Sequence, residues 1–254
     1  MPAPHVRKNR RFWDRFASEY QALHGERLAA TARAWGIWRI PDDEIGALGA
    51  LGGKDVLELG CGAAQWSAGA AEAGGRPTGI DLSARQLRHA RRRLNKNDVS
   101  IPLVQGSAEE LPFRDESFDV VISDHGAISF ADPARTIPEA ARVLRPGGTL
   151  AFCIGSPFMF ISWNPKTERV DRRLHGEYFA MRSADDETSI QFQLPYGEWI
   201  DLFAGSGLEV RRLMHLRPPD GATTTYKDYA PRDWARRWPA EDLWVVAKPN
   251  HRRR

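Results

Sequence analysis

The sequence predicts an α/β fold wound around a parallel sheet. Short apolar runs recur through the middle of the chain, stretches with helical spacing separate them, and capping or glycine residues mark the junctions. The runs are KDVLEL (Lys54 to Leu59), RPTGI (Arg76 to Ile80), IPLVQ (Ile101 to Gln105), FDVVIS (Phe118 to Ser123) and GGTLAFCI (Gly147 to Ile154). Strand, helix and strand in alternation give parallel neighbours, because the chain must cross over before it can pair again.

The helices between them carry their own signals. Ser83 with Gln86 three residues later has the form of a capping box, and Leu87, Ala90 and Leu94 make one apolar stripe behind it. Asp132 followed by Pro133 reads as an N-cap and first helical residue, and RPGG at Arg145 to Gly148 stops that helix and turns into the fifth strand. From about Asn9 to Gly49 the spacing predicts two or three helices on the sheet's edge, with Phe12, Trp13, Phe16 and Tyr20 on one face and Trp35 and Trp38 after them. Between Ser156 and Leu194 no clean period survives; Pro157, Pro165, Pro195 and the polar run SADDETS suggest an insertion or lid. PYGEWIDLFAGSGLEVRRLMHL then gives a helix closed by Gly205 to Gly207 and a strand, and EDLWVVAKP a last strand. The expected organisation is one domain over 1–254: a helical cap at 1–50, a core at 51–155, the insertion at 156–195, the end of the core at 196–249 and a frayed tail at 250–254.

Composition agrees and excludes some classes. A chain of 254 residues, 42% hydrophobic and 10% aromatic, can bury one full core. Cys61 and Cys153 form neither a disulfide framework nor a zinc spacing, which favours a reduced, cytoplasmic setting. MPAPHVRKNRRFW has no apolar stretch behind its basic residues, and no segment is apolar enough to span a bilayer, so neither export nor a membrane partner is expected. The net charge is +3, with 30 Arg against 6 Lys. Arg91 to Arg93 fall late in a predicted helix, where cations offset the dipole, so a solvated basic face is favoured over a nucleic-acid partner.

The most informative stretch is VLELGCGAAQ, Val56 to Gln65. In a dinucleotide fingerprint G-x-G-x-x-G, the third glycine lets the helix pack close to the strand beneath a pyrophosphate. Here Gly60 and Gly62 take the first two places and Gln65 the third. Glu58 precedes the glycines, where a carboxylate can organise the loop or meet a cationic ligand group. Asp81 ends the second strand nineteen residues past Gly62, where an acid can accept from both hydroxyls of a ribose. The loop reads as an adenosine site without phosphate contacts. Taken singly, each residue also has a plain use: a strand-to-helix turn for the glycines, a helix cap for Asp81, a small buried side chain for Cys61.

VLELGCGAAQWS, GIDLSARQLRHA, VQGSAEELPF, FDVVIS and RVLRPGGTLAF, in that order from Val56 to Phe152, resemble the motif set of class I S-adenosylmethionine-dependent methyltransferases, in the style of the ubiquinone and menaquinone biosynthesis enzymes. The resemblance implies a Rossmann-like, doubly wound sheet of seven strands, mostly parallel with an antiparallel last strand, and S-adenosyl-L-methionine as cofactor. It implies that the backbone of Gly60, Cys61 and Gly62 meets the methionine moiety, that Asp81 holds the ribose with Leu82 beside the adenine and Gln86 nearby, and that Ala108 and Glu109 line the adenine edge. Ser107 stands where relatives commonly have Asp, so an accepting bond there comes from a hydroxyl. Ser123 and Asp124 pass near the sulfonium, and Tyr20 matches a tyrosine brought from the N-terminal helices to the cofactor carboxylate.

Transfer of an activated methyl needs a positioned nucleophile and no metal. An acceptor that must lose a proton also needs a base, and His125, just past the fourth strand, is the best-placed histidine; the alternative is a structural contact, with His24 and His175 further off. Trp13, Trp35, Trp38, Phe158, Phe160 and Trp163 come from segments expected to roof the site, which points to an apolar or aromatic small-molecule acceptor. The competing readings are an RNA (tRNA) methyltransferase, motivated by the arginines but opposed by SDHG where amino-group enzymes carry N-P-P-Y; a binding protein without turnover; and an NAD-dependent dehydrogenase, opposed by Gln65. Oligomeric state stays open.

Overall fold

A computed structural model describes residues 2–227 and 229–250; residues 251–254, most of the expected tail, lie outside it. Seven strands form one sheet: β1 (Asp55–Leu59), β2 (Arg76–Asp81), β3 (Leu103–Gln105), β4 (Phe118–Asp124), β5 (Leu144–Gly155), β6 (Glu209–Leu216) and β7 (Glu241–Ala247). The spatial order is β6-β7-β5-β4-β1-β2-β3. Neighbours among β1 to β5 pair in parallel, and β7 runs antiparallel to both β5 and β6. All five core strands and the antiparallel last strand stand where the sequence puts them. The chain reverses direction across the sheet between β1 and β4, and a ligand crevice opens at the carboxyl ends there.

Five longer helices flank the sheet: α1 (Pro4–Ala30), α2 (Gln65–Glu72), α3 (Ala84–Lys96), α4 (Pro133–Val143) and α5 (Tyr196–Gly205). One face buries Ile137 and Ala140 of α4 and Trp199 and Phe203 of α5 against Phe152 and Trp244. The other buries Trp66 of α2 and Trp35 against Val120 and Ala151, while α3 lays Leu87, Ala90 and Leu94 inward. Asp132 caps α4 by accepting from the Ala134 N–H at 3.0 Å. The Ser83 cap is only half the expected box. Ser83 Oγ accepts from Gln86 N at 3.1 Å, but the Ser83 N–H goes to Asp81, and the Gln86 side chain accepts from Gln21.

The N-terminal region corrects the sequence expectation. Where two or three helices were expected, there is one 27-residue helix, a hairpin of Ala34–Trp35 with Ile40–Pro41, and a single turn of helix at Asp42–Ile45. The hairpin forms because Gly36 (φ +69°) and Arg39 (φ +54°) turn the chain back. Trp35 does not roof the crevice: it packs at a tilt against Trp66, ring centroids 4.6 Å apart, on one face of the sheet, and donates its indole N–H to Asp42. Residues 156–195 comprise a short helix, Pro157–Ser162, and two small hairpins, Trp163–Asn164 with Arg169–Val170 and Ser183–Asp185 with Ile190–Phe192. Asn9 of α1 pins the second hairpin, its side chain bonded to both the N–H and the carbonyl of Ile190.

Candidate functional site

The turn after β1 folds over the end of β2. Gly60 N and Cys61 N both donate to Ile80 O, at 2.8 and 3.0 Å, and Gly62 N donates to Asp81 Oδ2 at 2.8 Å. Gly60 (φ +71°) allows the closest approach: a Cβ there would sit 2.2 Å from Ala127 N. The other Asp81 oxygen accepts from Ser83 N at 2.8 Å. Asp81 is therefore a helix-cap partner as well as a loop anchor, and its carboxylate still lines the crevice. Burial pushes its pKa up to about 6, against the two backbone bonds that lower it.

Glu58, on β1 two residues before Gly60, accepts from Ser67 N at 2.8 Å and from Ser67 Oγ, so it ties the strand that leads into the glycine turn to the first turn of α2. Burial raises its pKa to about 7. Cys61 is buried, and burial pushes its thiol well up, so it packs and does not react.

These residues wall a crevice at the carboxyl ends of β1, β2 and β4, whose empty space, open to solvent, is about 1080 Å³. Tyr20, Glu58, Gly60, Cys61, Gly62, Asp81, Leu82, Gln86, Ser107, Ala108, Glu109, Asp124 and His125 all line it. Ser123 does not; its buried hydroxyl donates to Leu59 O at 3.0 Å and braces β1 against β4. Glu109 is held by His5 Nε2 at 2.5 Å and by the Asp132 N–H at 2.9 Å, and Ser107 Oγ accepts from Glu109 N.

Asp124 is shared between the hairpin and the site: Oδ2 pairs with Arg39 at 2.8 Å and Oδ1 accepts from Gly36 N. His125 adopts φ +48° and bonds through Nε2 to Glu241 at 2.6 Å. Burial, the largest single effect, opposes a charged imidazole, but the bond and charge of Glu241 with the charge of Asp124 together outweigh it, and the His125 pKa is raised. Asp124, His125 and Cys153 bring donor atoms within 4.8 Å of one another, yet Asp124 already has Arg39 as its cation.

A second cavity, with about 720 Å³ of empty space open to solvent, adjoins the first and shares His125, Trp13, Tyr20, Ile37, Phe130 and Tyr226 with it. Its further walls are mostly apolar or aromatic, among them Ile154, Met159, Phe160, Phe192 and Tyr229, with Ser129 and Gln191 as the polar exceptions. Of the aromatics expected to roof the site, Trp13 and Phe160 do so, while Trp38, Phe158 and Trp163 pack with Trp234 in a separate cluster. His24 stacks on Tyr226 at 4.0 Å and bonds Thr225, and His175 pairs with Asp171.

Sequence reasoning missed Arg39, Gln65, Tyr226 and Glu241. Gln65 bonds Gln21 of α1, and Tyr226 meets Tyr20 hydroxyl to hydroxyl at 2.5 Å. Two signals were available. The stretch after β6 emerges at the same rim as the other parallel strands, and an antiparallel β7 must bring its first residue, Glu241, to that rim as well.

The charge of the first cavity's wall decides what it suits. Among the described residues it presents the carboxyl groups of Glu58, Asp81, Glu109 and Asp124 against the paired guanidinium of Arg39 and the imidazole of His125. Such a wall disfavours a pyrophosphate and suits a nucleoside carrying a positive charge.

Comparison with known proteins agrees. Residues 57–152 match the methyltransferase domain family. Demethylmenaquinone methyltransferase of Listeria welshimeri is 41% identical over 106 residues, 40% of this chain and 44% of the relative. The chain thus spans under half the length of the curated relatives it matches. Among solved structures, an S-adenosylmethionine-dependent methyltransferase from Mesorhizobium loti superposes with a TM-score of 0.64 at 21% identity, covering 80% of this chain and 94% of that one. The geranyl diphosphate C-methyltransferase of Streptomyces coelicolor A3(2), solved with Mg2+, geranyl diphosphate and S-adenosyl-L-homocysteine, gives 0.66 at 15% identity over 97% and 98%. At these identities the structural likeness is one of fold. Residues 57–152 thus match the methyltransferase domain family, and the chain has the fold of S-adenosylmethionine-dependent methyltransferases of known structure.

Proposed function

We propose that this chain methylates a small apolar or aromatic acceptor that carries an acidic hydrogen, without a metal, with His125 as the base. The observation that carries the proposal is the pair of adjoining cavities, one acidic and nucleoside-sized, the other aromatic, with His125 on their common wall. When bound, S-adenosylmethionine supplies a methyl whose bond to sulfur breaks, leaving the electron pair on sulfur, as the acceptor's nucleophilic atom bonds to it.

The chain's own residues hold and orient. In this reading Asp81 accepts from the ribose hydroxyls with the lone pairs that Gly62 and Ser83 leave free. The turn at Gly60 to Gly62 faces the methionine moiety, Leu82 and Ala108 flank the adenine with Ser107 at its edge, and Tyr20 reaches the cofactor carboxylate. Gln86 holds α1 through Gln21, Glu109 and Ser123 brace the walls, and Asp124 offers its charge near the sulfonium. His125 takes the acceptor's proton as the new bond forms, so the one positive charge of the reacting system ends on the imidazole. Residues 156–195 act as an insertion over the acceptor cavity, which Met159, Phe160 and Phe192 support. No helix is long and apolar enough to cross a membrane, and both cysteines are free; a cytoplasmic setting belongs to the same proposal.

The test is transfer of isotopically labelled methyl into a metabolite extract and, separately, into total RNA. Label in an organic-soluble small molecule is expected. Label confined to RNA, with steep salt dependence, would replace this reading by the nucleic-acid one.

A further inference from the structure

Glu241 begins β7 opposite Gly155, the last residue of β5, and is fully buried. One of its oxygens, Oε1, serves two donors: His125 Nε2 at 2.6 Å and the backbone N–H of Ile37, in the cap hairpin, at 2.7 Å. The other, Oε2, is buried with no hydrogen-bond partner among the described residues. A carboxylate so enclosed needs a cation or strong donors close by. Gly36 packs flat on it: a Cβ there would lie 2.7 Å from Oε1.

We infer that Glu241 is a positioning residue for the base, fixing the proton of neutral His125 on Nε2 so that Nδ1 presents a bare lone pair to the acceptor cavity, and seating the cap hairpin through the same oxygen. This rests on the assignment of His125 as base. Of the two ring nitrogens, Nε2 faces Glu241, with Cys153 Sγ 3.8 Å away, while Nδ1 makes no hydrogen bond among the described residues. A carboxylate accepting from one imidazole nitrogen leaves the other as the site of proton uptake, and stabilises the imidazolium once the proton arrives. Taking the acceptor's proton makes a new N–H bond at Nδ1 while the N–H at Nε2 stays in place, so Glu241 gains no proton.

The surroundings favour the assignment. The ionisable groups facing the ring are Asp124 beside it in the chain, Arg39 from the hairpin, Cys153 from β5, Tyr229 edge-on at 5.5 Å and Glu241 from β7. Arg39 already pairs with Asp124, so Glu241 is the acid left for the imidazole. Ile37 lines both cavities, so the bond that sets the ring also sets the hairpin wall against which cofactor and acceptor would rest.

Nitrogen-15 spectra of the histidine-labelled chain with S-adenosylhomocysteine test this, with the His125 signal assigned by its loss in His125→Gln. Expected are a proton on Nε2 of the neutral ring in the wild type, a titration midpoint above 6.5, and a midpoint lower by about one pH unit or more in Glu241→Gln, which keeps the side chain's volume but not its charge. A neutral ring protonated on Nδ1, or an unmoved midpoint in Glu241→Gln, overturns the inference; the wild-type tautomer decides even if that variant does not fold. Undiminished methyl transfer by His125→Gln instead overturns the base assignment beneath it, and leaves the tautomer as measured, so the two failures are distinct.

Discussion

Asp81 accepts the backbone N–H of Gly62 at 2.8 Å, so the residue that ends β2 also fixes the turn that follows β1. The acid proposed to hold the ribose and the glycine turn are one unit, and a change at either is felt by both. Asp81→Asn keeps the size but removes the charge and turns an accepting atom into a donor. Hydrogen bonds to charged groups contribute about 1.5 to 3 kcal/mol each, so affinity for S-adenosylhomocysteine should fall about ten- to a hundredfold by calorimetry. Unchanged affinity would remove Asp81 from the ribose.

Glu58 and Asp81 carry raised pKa values, about 7 and about 6, because burial disfavours their charged forms. The folded state thus binds protons more tightly than the unfolded state. The stability this lends is complete below the ordinary carboxylate range and is lost as pH rises through 6 and 7, at about 1.4 kcal/mol for each tenfold difference in proton affinity between the two states. Urea unfolding from pH 5 to 8 should show stability declining across that window, and Glu58→Gln should flatten the decline. Equal slopes in both proteins would mean that Glu58 titrates as an ordinary carboxylate.

His125→Ala should reduce methyl transfer about a hundred- to ten-thousandfold, the range for loss of a general base, while S-adenosylhomocysteine binding persists. Because the His125 pKa is raised, the acidic limb of kcat/KM in the wild type should lie above 6.5. Initial rates between pH 5.5 and 9, with the acceptor found by labelling, measure both; a flat profile assigns the chemistry to another group.

Gly60 and Gly49 both have φ in the left-handed region, at +71° and +64°, but only Gly60 faces backbone that an added Cβ would strike, at 2.2 Å, whereas nothing lies within 4 Å at Gly49. Gly49→Ala should cost about 1 to 2 kcal/mol, the strain of the backbone conformation alone. Gly60→Ala should cost clearly more and abolish ligand binding, because β1 and the turn after β4 would have to separate. Equal midpoints in urea unfolding would show that the close approach relaxes freely.

Legibility followed the range of the interactions. β1 to β5 were readable because an apolar run, a cap and a glycine turn are local facts: Asp132 caps α4 and Gly205 to Gly207 close α5 as their residue types dictate. The hairpin at Ala34 to Pro41 was not, because Gly36 and Arg39 are held by Asp124 and Ile37 by Glu241, about 90 and 200 positions away in the chain. The same distance hid Glu241 and Tyr226 from motif reasoning, while Gly60, Gly62 and Asp81 stood in a motif whose spacing carries its meaning. Gln86 shows the limit of a local rule: its side chain had a nearby use in a capping box and took a distant one with Gln21.

The measurement that bears most directly on the account is calorimetric titration of the purified chain with S-adenosylhomocysteine, beside an identical titration with NAD. A crevice lined by Glu58, Asp81, Glu109 and Asp124 predicts saturable binding of the former at one site per chain and none of the dinucleotide. Binding of NAD, with no heat from S-adenosylhomocysteine or S-adenosylmethionine, would contradict it.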